Sequence, residues 1–408
     1  MEKRNTSRNH IRRSMGCSKK GRTSGKKTKA MVEARRGGGA RHKKATPPIL
    51  SHDFVIQNHG DIMSCILMVF IVGLMFPLTS PLAAVFIAPQ YNETTIMPSE
   101  NSQYEVTGYR NGILDVASII FYTIAWVVIH AILQEYVLDK LQRKAHLSKA
   151  SNFKFTESGH MLAFSIYSVA HALHILQEYV QGYGDFKRIW IGYPEEHRWM
   201  SSGYKMFFIF QISYWLHQFP EFYFQKLKKD EIRQKTFISV LHILFITAAY
   251  FMNFTRIGVA LLLLEYTSQA VFHFARLSHF LDKKTISKPV FKLWNVVFVL
   301  ARIGSAVLAV MTFWYGLRQV ESPYVDPSTG NFNTTFVRLN ILLLILLLQL
   351  FQLWSFVTFH LTKYKESNKK KGDKKPAAQP IAPKKKQRNE DSQSESESLD
   401  PKTAKKKN

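Results

Sequence analysis

Eight side chains with the right chemistry for proton transfer or polar recognition are spread through the apolar, aromatic-rich stretch from Tyr214 to Arg276. They are His217, Glu221, His242, Asn253, Arg256, Glu265, Gln269 and His273. An ionisable group left unpaired in hydrocarbon costs on the order of several kcal/mol, so each must react, bind a ligand or tie helices together. His217 and Glu221 are four residues apart and share a helical face, where imidazole and carboxylate can work as a base and acid pair. A structural pair is the stronger reading, because Pro220 removes a backbone donor, kinks the helix and frees the carbonyl of Leu216. His242 and Glu265 form a second dyad if their segments face each other.

His171, His174 and Glu178 also share one face, at spacings of three and four, and two imidazoles with a carboxylate are a partial zinc set. A fourth ligand is missing from the sequence pattern, so hydrogen bonding to neighbouring helices is the expected use. The chain has two cysteines, Cys17 and Cys65, too few for a disulfide framework or a Cys-based metal site. No metal or cofactor is expected. A short repeat, Ile132–Val137 and Ile175–Val180, reads as interfacial composition unless the halves are inverted repeats.

The elements that must position these residues are membrane helices. Apolar residues are bunched into long runs, while the charges that produce a net +26 sit in both tails and in short connectors. With about 20 apolar residues per crossing, eight spans emerge, near residues 62–88, 113–138, 160–181, 206–224, 236–252, 256–275, 293–317 and 336–361. The fourth and fifth are marginal in length or polarity, which leaves counts of six and seven open. Lys140, Arg143, Lys144, Lys149 and Lys154, then Lys226, Lys228, Lys229, Arg233 and Lys235, then Arg276, Lys283, Lys284, Lys288 and Lys292 fall on one side of the membrane. By the positive-inside rule that side is cytosolic, with both termini on it.

The division expected is a disordered basic tail over 1–48, an interfacial segment, first helix and lumenal loop over 49–112, a helical bundle over 113–363, and a disordered charged tail over 364–408. The 16 Lys or Arg of the first 50 residues read as a positive-inside anchor before they read as an RNA-binding arm. Three Asn-x-Thr sequons occur, at Asn92, Asn253 and Asn333. Only Asn92 lies in a polar loop of suitable length, so Asn92 is the expected glycosylation site. The terminal Lys405-Lys406-Lys407-Asn408 has the spacing of a dilysine endoplasmic-reticulum retrieval signal.

The turn Asn253-Phe254-Thr255-Arg256-Ile257-Gly258 between two spans resembles the TLC domain. The blocks NHGDI (Asn58–Ile62), FTESGH (Phe155–His160), HQFPEFYFQK (His217–Lys226) and STGNFN (Ser328–Asn333) resemble the translocating chain-associating membrane protein (TRAM) family within it. The similarity runs from about Pro47 to the start of the C-terminal tail. It implies an all-α, polytopic protein with a TLC-type helical core in the endoplasmic-reticulum membrane, beside the Sec protein-conducting channel. The implied partners are signal sequences and transmembrane segments of nascent chains, membrane phospholipids and the ribosome, with no DNA partner.

Ceramide synthases are similar in this segment. They carry two adjacent histidines where this chain has Leu241-His242, and His-Asp plus a further Asp where it has Glu265-Tyr266 and Gln269. Acyl transfer to an amine needs a base for the amine proton and acidic groups to orient it. One histidine of that set remains, so the resemblance implies a polar-lined, non-enzymatic groove built on the eight side chains above. A TLC-type lipid handler or N-acyltransferase is the alternative.

Overall fold

The computed structural model describes residues 48, 51–98, 103–179, 185–225 and 229–372, and divides into two units, residues 1–57 and 58–408. In the first unit the described residues form one short helix, α1 (His52–Gln57), with the Phe54 amide donating to Ser51 Oγ at 3.2 Å. Most of the basic tail, Ile49, Leu50 and residues 373–408 lie outside the described residues, whereas residues 364–372, expected to belong to a disordered tail, continue the last helix.

The second unit runs α2 (His59–Gly73), α3 (Ser80–Ile87), β1 (Asn92–Pro98), β2 (Gln103–Tyr109), α4 (Asp115–Leu133), α5 (Asp139–Ala145) and α6 (Lys149–Tyr179). It continues through α7 (Ser202–Phe224), α8 (Lys229–Phe251), α9 (Thr255–Phe280), α10 (Lys284–Ala309) and α11 (Thr335–Gly372). A wide, π-type turn over Gln134–Leu138 joins α4 to α5, and another over Val310–Gly316 extends α10. The fold is that of an all-α, multi-pass membrane protein. One antiparallel hairpin, absent from the sequence reading, sits in the connector after α3; it pairs Asn92 with Tyr109, and Tyr109 bridges on to Met200.

Six described helical stretches are long and apolar enough to cross a membrane: 115–145, 151–179, 229–251, 255–280, 284–320 and 335–369. The expected count of eight is therefore not confirmed. The run 62–88 breaks in two, because Pro77 cannot continue a helix and the chain turns over residues 74–79, held by Thr79 Oγ1 donating to the Gly73 carbonyl at 2.7 Å. The expected fourth span, α7, has 23 residues but carries Lys205, Gln211, His217 and Glu221. It is the helix that faces protein: Phe207, Phe208, Ile209, Gln211 and His217 are all out of contact with the surroundings.

The outer helices show the opposite pattern. On α10, Leu293, Val296, Leu300, Ile303 and Val307 are exposed at spacings of three and four, while Ala301, Arg302, Ser305 and Ala309 are buried on the other face. α9 packs against α6 and α10, and α7 packs against α4 and α8. The turn between α8 and α9 is only a few residues long. Asn253 makes it at φ 58°, a left-handed conformation that Asn tolerates, and Gly258 lets α9 start beside Ala249, where an added Cβ would come within 2.9 Å.

Candidate functional site

The eight sequence candidates do not line one groove. Seven of them fall into three separate places, each completed by residues that spacing along one helix does not reveal, and His273 stands apart.

The first lies between α4, α6 and α7. His217 and Glu221 meet through His130 of α4, whose Nδ1 is 3.4 Å from His217 Nε2 and whose Nε2 is 3.2 Å from Glu221 Oε1. His160 of α6 stacks on His130 with ring centroids 3.4 Å apart, and its Nε2 is 3.2 Å from Gln134 Oε1. Gln225 Nε2 donates to Glu221 Oε1 at 2.8 Å, and His217 Nδ1 is bonded to the Tyr214 carbonyl. Helix α7 runs through Pro220 without interruption.

The second lies between α8, α9, α10 and α11. His242 stacks on Trp215 at 3.8 Å and its Nδ1 bonds the Ile238 carbonyl at 2.8 Å. Trp215 Nε1 donates to Tyr266 Oη at 3.0 Å. Glu265 does not bond His242. It receives Arg302 of α10 at 2.5 Å and Gln269 Nε2 at 2.8 Å, and Arg302 reaches on to Gln352 of α11. Arg302 is only 1% exposed, and its guanidinium also lies over the Phe298 ring. The proposed dyad is thus replaced by an ion pair whose cation comes from a helix that the dyad reading left out. His273 is buried further along α9 against Phe272, apart from both sets.

The third place is the membrane face that carries the hairpin. Asn253 accepts from Asn111 Nδ2 at 3.1 Å and donates to the Gly330 carbonyl at 2.8 Å, joining three connectors. Arg256 donates to the Arg188 carbonyl at 2.8 Å and to Glu196 at 3.3 Å. Tyr193 Oη donates to the Met252 carbonyl and accepts from the Phe332 amide. Burial and the nearby Arg256 push His197 down to about 3, so it sits neutral in this cap, with Nε2 bonded to the Ile191 carbonyl at 3.1 Å. Asn253 and Arg256 therefore hold connectors and are not groove residues. Asn253 and Asn333 are enclosed, with Asn333 Nδ2 donating to the carbonyls of Leu317 and Val320; Asn92 is exposed.

The triad His171, His174 and Glu178 is likewise structural. His171 bonds Tyr167 Oη and the Gly203 carbonyl, and Glu178 accepts from Ser201 Oγ. Among the described residues no group of His, Cys, Asp and Glu is arranged to hold a metal ion. A cavity of about 440 Å³ opens between α10 and α11, lined by Asn295, Val296, Val299, Leu300, Phe356 and His360. A second, of about 460 Å³, is lined by residues around Asp139, Arg143 and Asn152. None of the eight candidates lines either.

Residues 154–358 match the family model described as the TLC domain. The chain is 39% identical over 336 residues to translocating chain-associated membrane protein 2 of Mus musculus, covering 82% of this chain and 88% of that protein. It is 38% identical over 327 residues to the Homo sapiens protein of the same name, covering 80% and 86%. A sphingosine N-acyltransferase-like protein of Alternaria alternata is 26% identical over 227 residues, covering 55% of this chain and 51% of that one. Since the stronger identity extends over most of both chains and the domain match runs from within α6 to within α11, the chain belongs to the translocating chain-associated membrane protein family of TLC-domain proteins.

Proposed function

We propose that this protein is a non-enzymatic accessory of the Sec protein-conducting channel in the endoplasmic-reticulum membrane, contacting signal sequences and transmembrane segments of nascent chains as they pass from channel to lipid. The observation that carries this reading is the 39% identity to a relative named for association with translocating chains. The geometry supports it in two ways. Glu265 is neutralised by Arg302 and Gln269, so His242 lacks the acid partner that acyl transfer requires. Helix α2, at 15 residues, is about 22 Å long, shorter than a hydrocarbon core of about 30 Å, and a short span thins the bilayer beside it.

In this reading both termini are cytosolic, the hairpin face is lumenal, and the bundle of 113–363 is flanked by an interfacial segment with the first helix and by two charged tails. Lysines and arginines of the opposite face meet anionic lipid or ribosomal RNA, an attraction that weakens with salt. The second reading, a lipid-handling enzyme, draws on the N-acyltransferase-like relative and on His242 packed beside Trp215. Photocrosslinking from a signal sequence stalled in the channel separates the two. Signal-sequence adducts that His242→Ala leaves unchanged support the accessory reading. Adducts confined to lipid, with acyl-CoA consumption abolished by His242→Ala, overturn it.

A further inference from the structure

The open crevice between α10 and α11 has a polar end and an apolar wall. The two helices run antiparallel, with Phe298 stacked on Phe356 at 4.8 Å and Arg302 meeting Gln352 one turn deeper. Val296, Val299, Leu300 and Phe356 line the wall, and Val296 and Leu300 belong to the exposed stripe of α10, so the cavity opens sideways to the bilayer. Its volume, about 440 Å³, lies within the range of about 300–1,000 Å³ typical of ligand pockets.

Two lining residues are polar, Asn295 and His360. His360 packs its ring on Phe356 at 4.4 Å, and its Nε2 is buried with no hydrogen-bond partner among the described residues. A buried donor or acceptor without a partner is costly, and His360 is one of the two polar residues at the edge of this cavity. One helical turn nearer the basic membrane face stand two exposed lysines: Lys292, three residues before Asn295, and Lys363, three residues after His360. From Lys284 to Ala309, α10 contains no acidic residue, and Glu366 is the acid nearest the mouth on α11. A cationic mouth, a hydrogen-bonding shoulder and an apolar slot in series have the order of a phosphate, a glycerol ester and an acyl chain.

We infer that the α10–α11 crevice is a binding site for one anionic phospholipid, its acyl chain between Val299 and Phe356, its ester oxygens at Asn295 and His360, and its phosphate between Lys292 and Lys363. The site is independent of the nascent-chain reading, since neither His242 nor any of the other seven candidates touches it.

Native mass spectrometry of the full chain, released from phosphatidylcholine nanodiscs containing a minor fraction of phosphatidylinositol, reads the site directly. The expected result is one retained phosphatidylinositol. Lys292→Gln with Lys363→Gln, both at exposed positions where folding is indifferent to charge, should lower retention roughly 10- to 30-fold. Val299→Trp, which fills the slot, should abolish retention of either lipid, while His360→Leu should weaken it. Unchanged retention in the double lysine variant together with Val299→Trp overturns the proposal, as does retention of phosphatidylcholine in equal measure. Signal-sequence crosslinking is expected to survive the lysine changes, so failure here and failure of the accessory reading are told apart.

Discussion

Lys205 Nζ lies 2.7 Å from Asp115 Oδ1, with both side chains fully buried. The ammonium also donates to the carbonyls of Gln90 and Arg110, and the carboxylate receives Tyr250 Oη at 2.7 Å and the Gly112 amide at 2.9 Å. The pair joins the start of α7 to the start of α4 and the end of α8. Removing one partner strands the other charge, so Lys205→Met should destabilise by about 3–5 kcal/mol. Adding Asp115→Asn to it should recover part of the loss. Thermal unfolding of a detergent-solubilised fluorescent fusion measures both.

Acid should loosen the hairpin face. His197 is held at about 3, against an ordinary value of 6.5, so the unfolded chain binds its proton first as pH falls. Stability is complete above about 6.5 and declines from there toward 3, by up to about 1.4 kcal/mol per pH unit from this residue. Melting temperatures across that range should fall less steeply in His197→Gln than in the parent.

Glycan occupancy discriminates the three sequons. Exposed Asn92 should carry the single glycan, and Asn92→Gln should remove the one endoglycosidase-sensitive shift on a gel. Enclosed Asn333 should be unmodified, so Asn333→Gln should leave that shift in place.

The relay from His217 through His130 to Glu221 should behave as one unit. A double-mutant cycle on His130→Ala and Glu221→Ala should show a coupling of roughly 0.5–3 kcal/mol by thermal unfolding. The same cycle on Glu221→Ala and His242→Ala should be additive, because those residues belong to different sites.

Arg302→Leu should be more damaging than Glu265→Gln. The first leaves a buried carboxylate with only Gln269, whereas the second leaves an arginine still held by Gln352 and the Phe298 ring. The yield of monodisperse protein after solubilisation ranks the two.

What could be read along the chain followed from periodicity. The long apolar runs mark every helix from α4 to α11 except the short charged α5, and the lipid stripe of α10 is visible as Leu293, Val296, Leu300 and Ile303. Averages over a window hid two features. Pro77 splits the first run, and the polar content of α7 signals enclosure by protein; neither alters the mean enough to show. The hairpin had a faint signature in Thr94, Thr95 and Ile96, β-branched residues in a connector. For the polar sites, spacing placed His217 with Glu221 but reported only same-helix neighbours. His130 and Arg302 come from other helices, 87 and 37 residues away from the partners they meet, and His160 reaches the site from a third helix by stacking on His130. No pattern local to Tyr214–Arg276 contains them.

The tie at Asn253 also fixes an order of events. Its amide reaches back to Asn111 and forward to Gly330, so the clasp cannot close until residue 330 has been synthesised and has reached the hairpin face. Until then that end is held by the earlier contacts, Asn111 with Asn253 and the Lys205–Asp115–Tyr250 set, and the arrival of the α10–α11 hairpin completes the lock. A chain released from the ribosome before residue 330 therefore lacks the clasp, however many of its helices are already in the membrane.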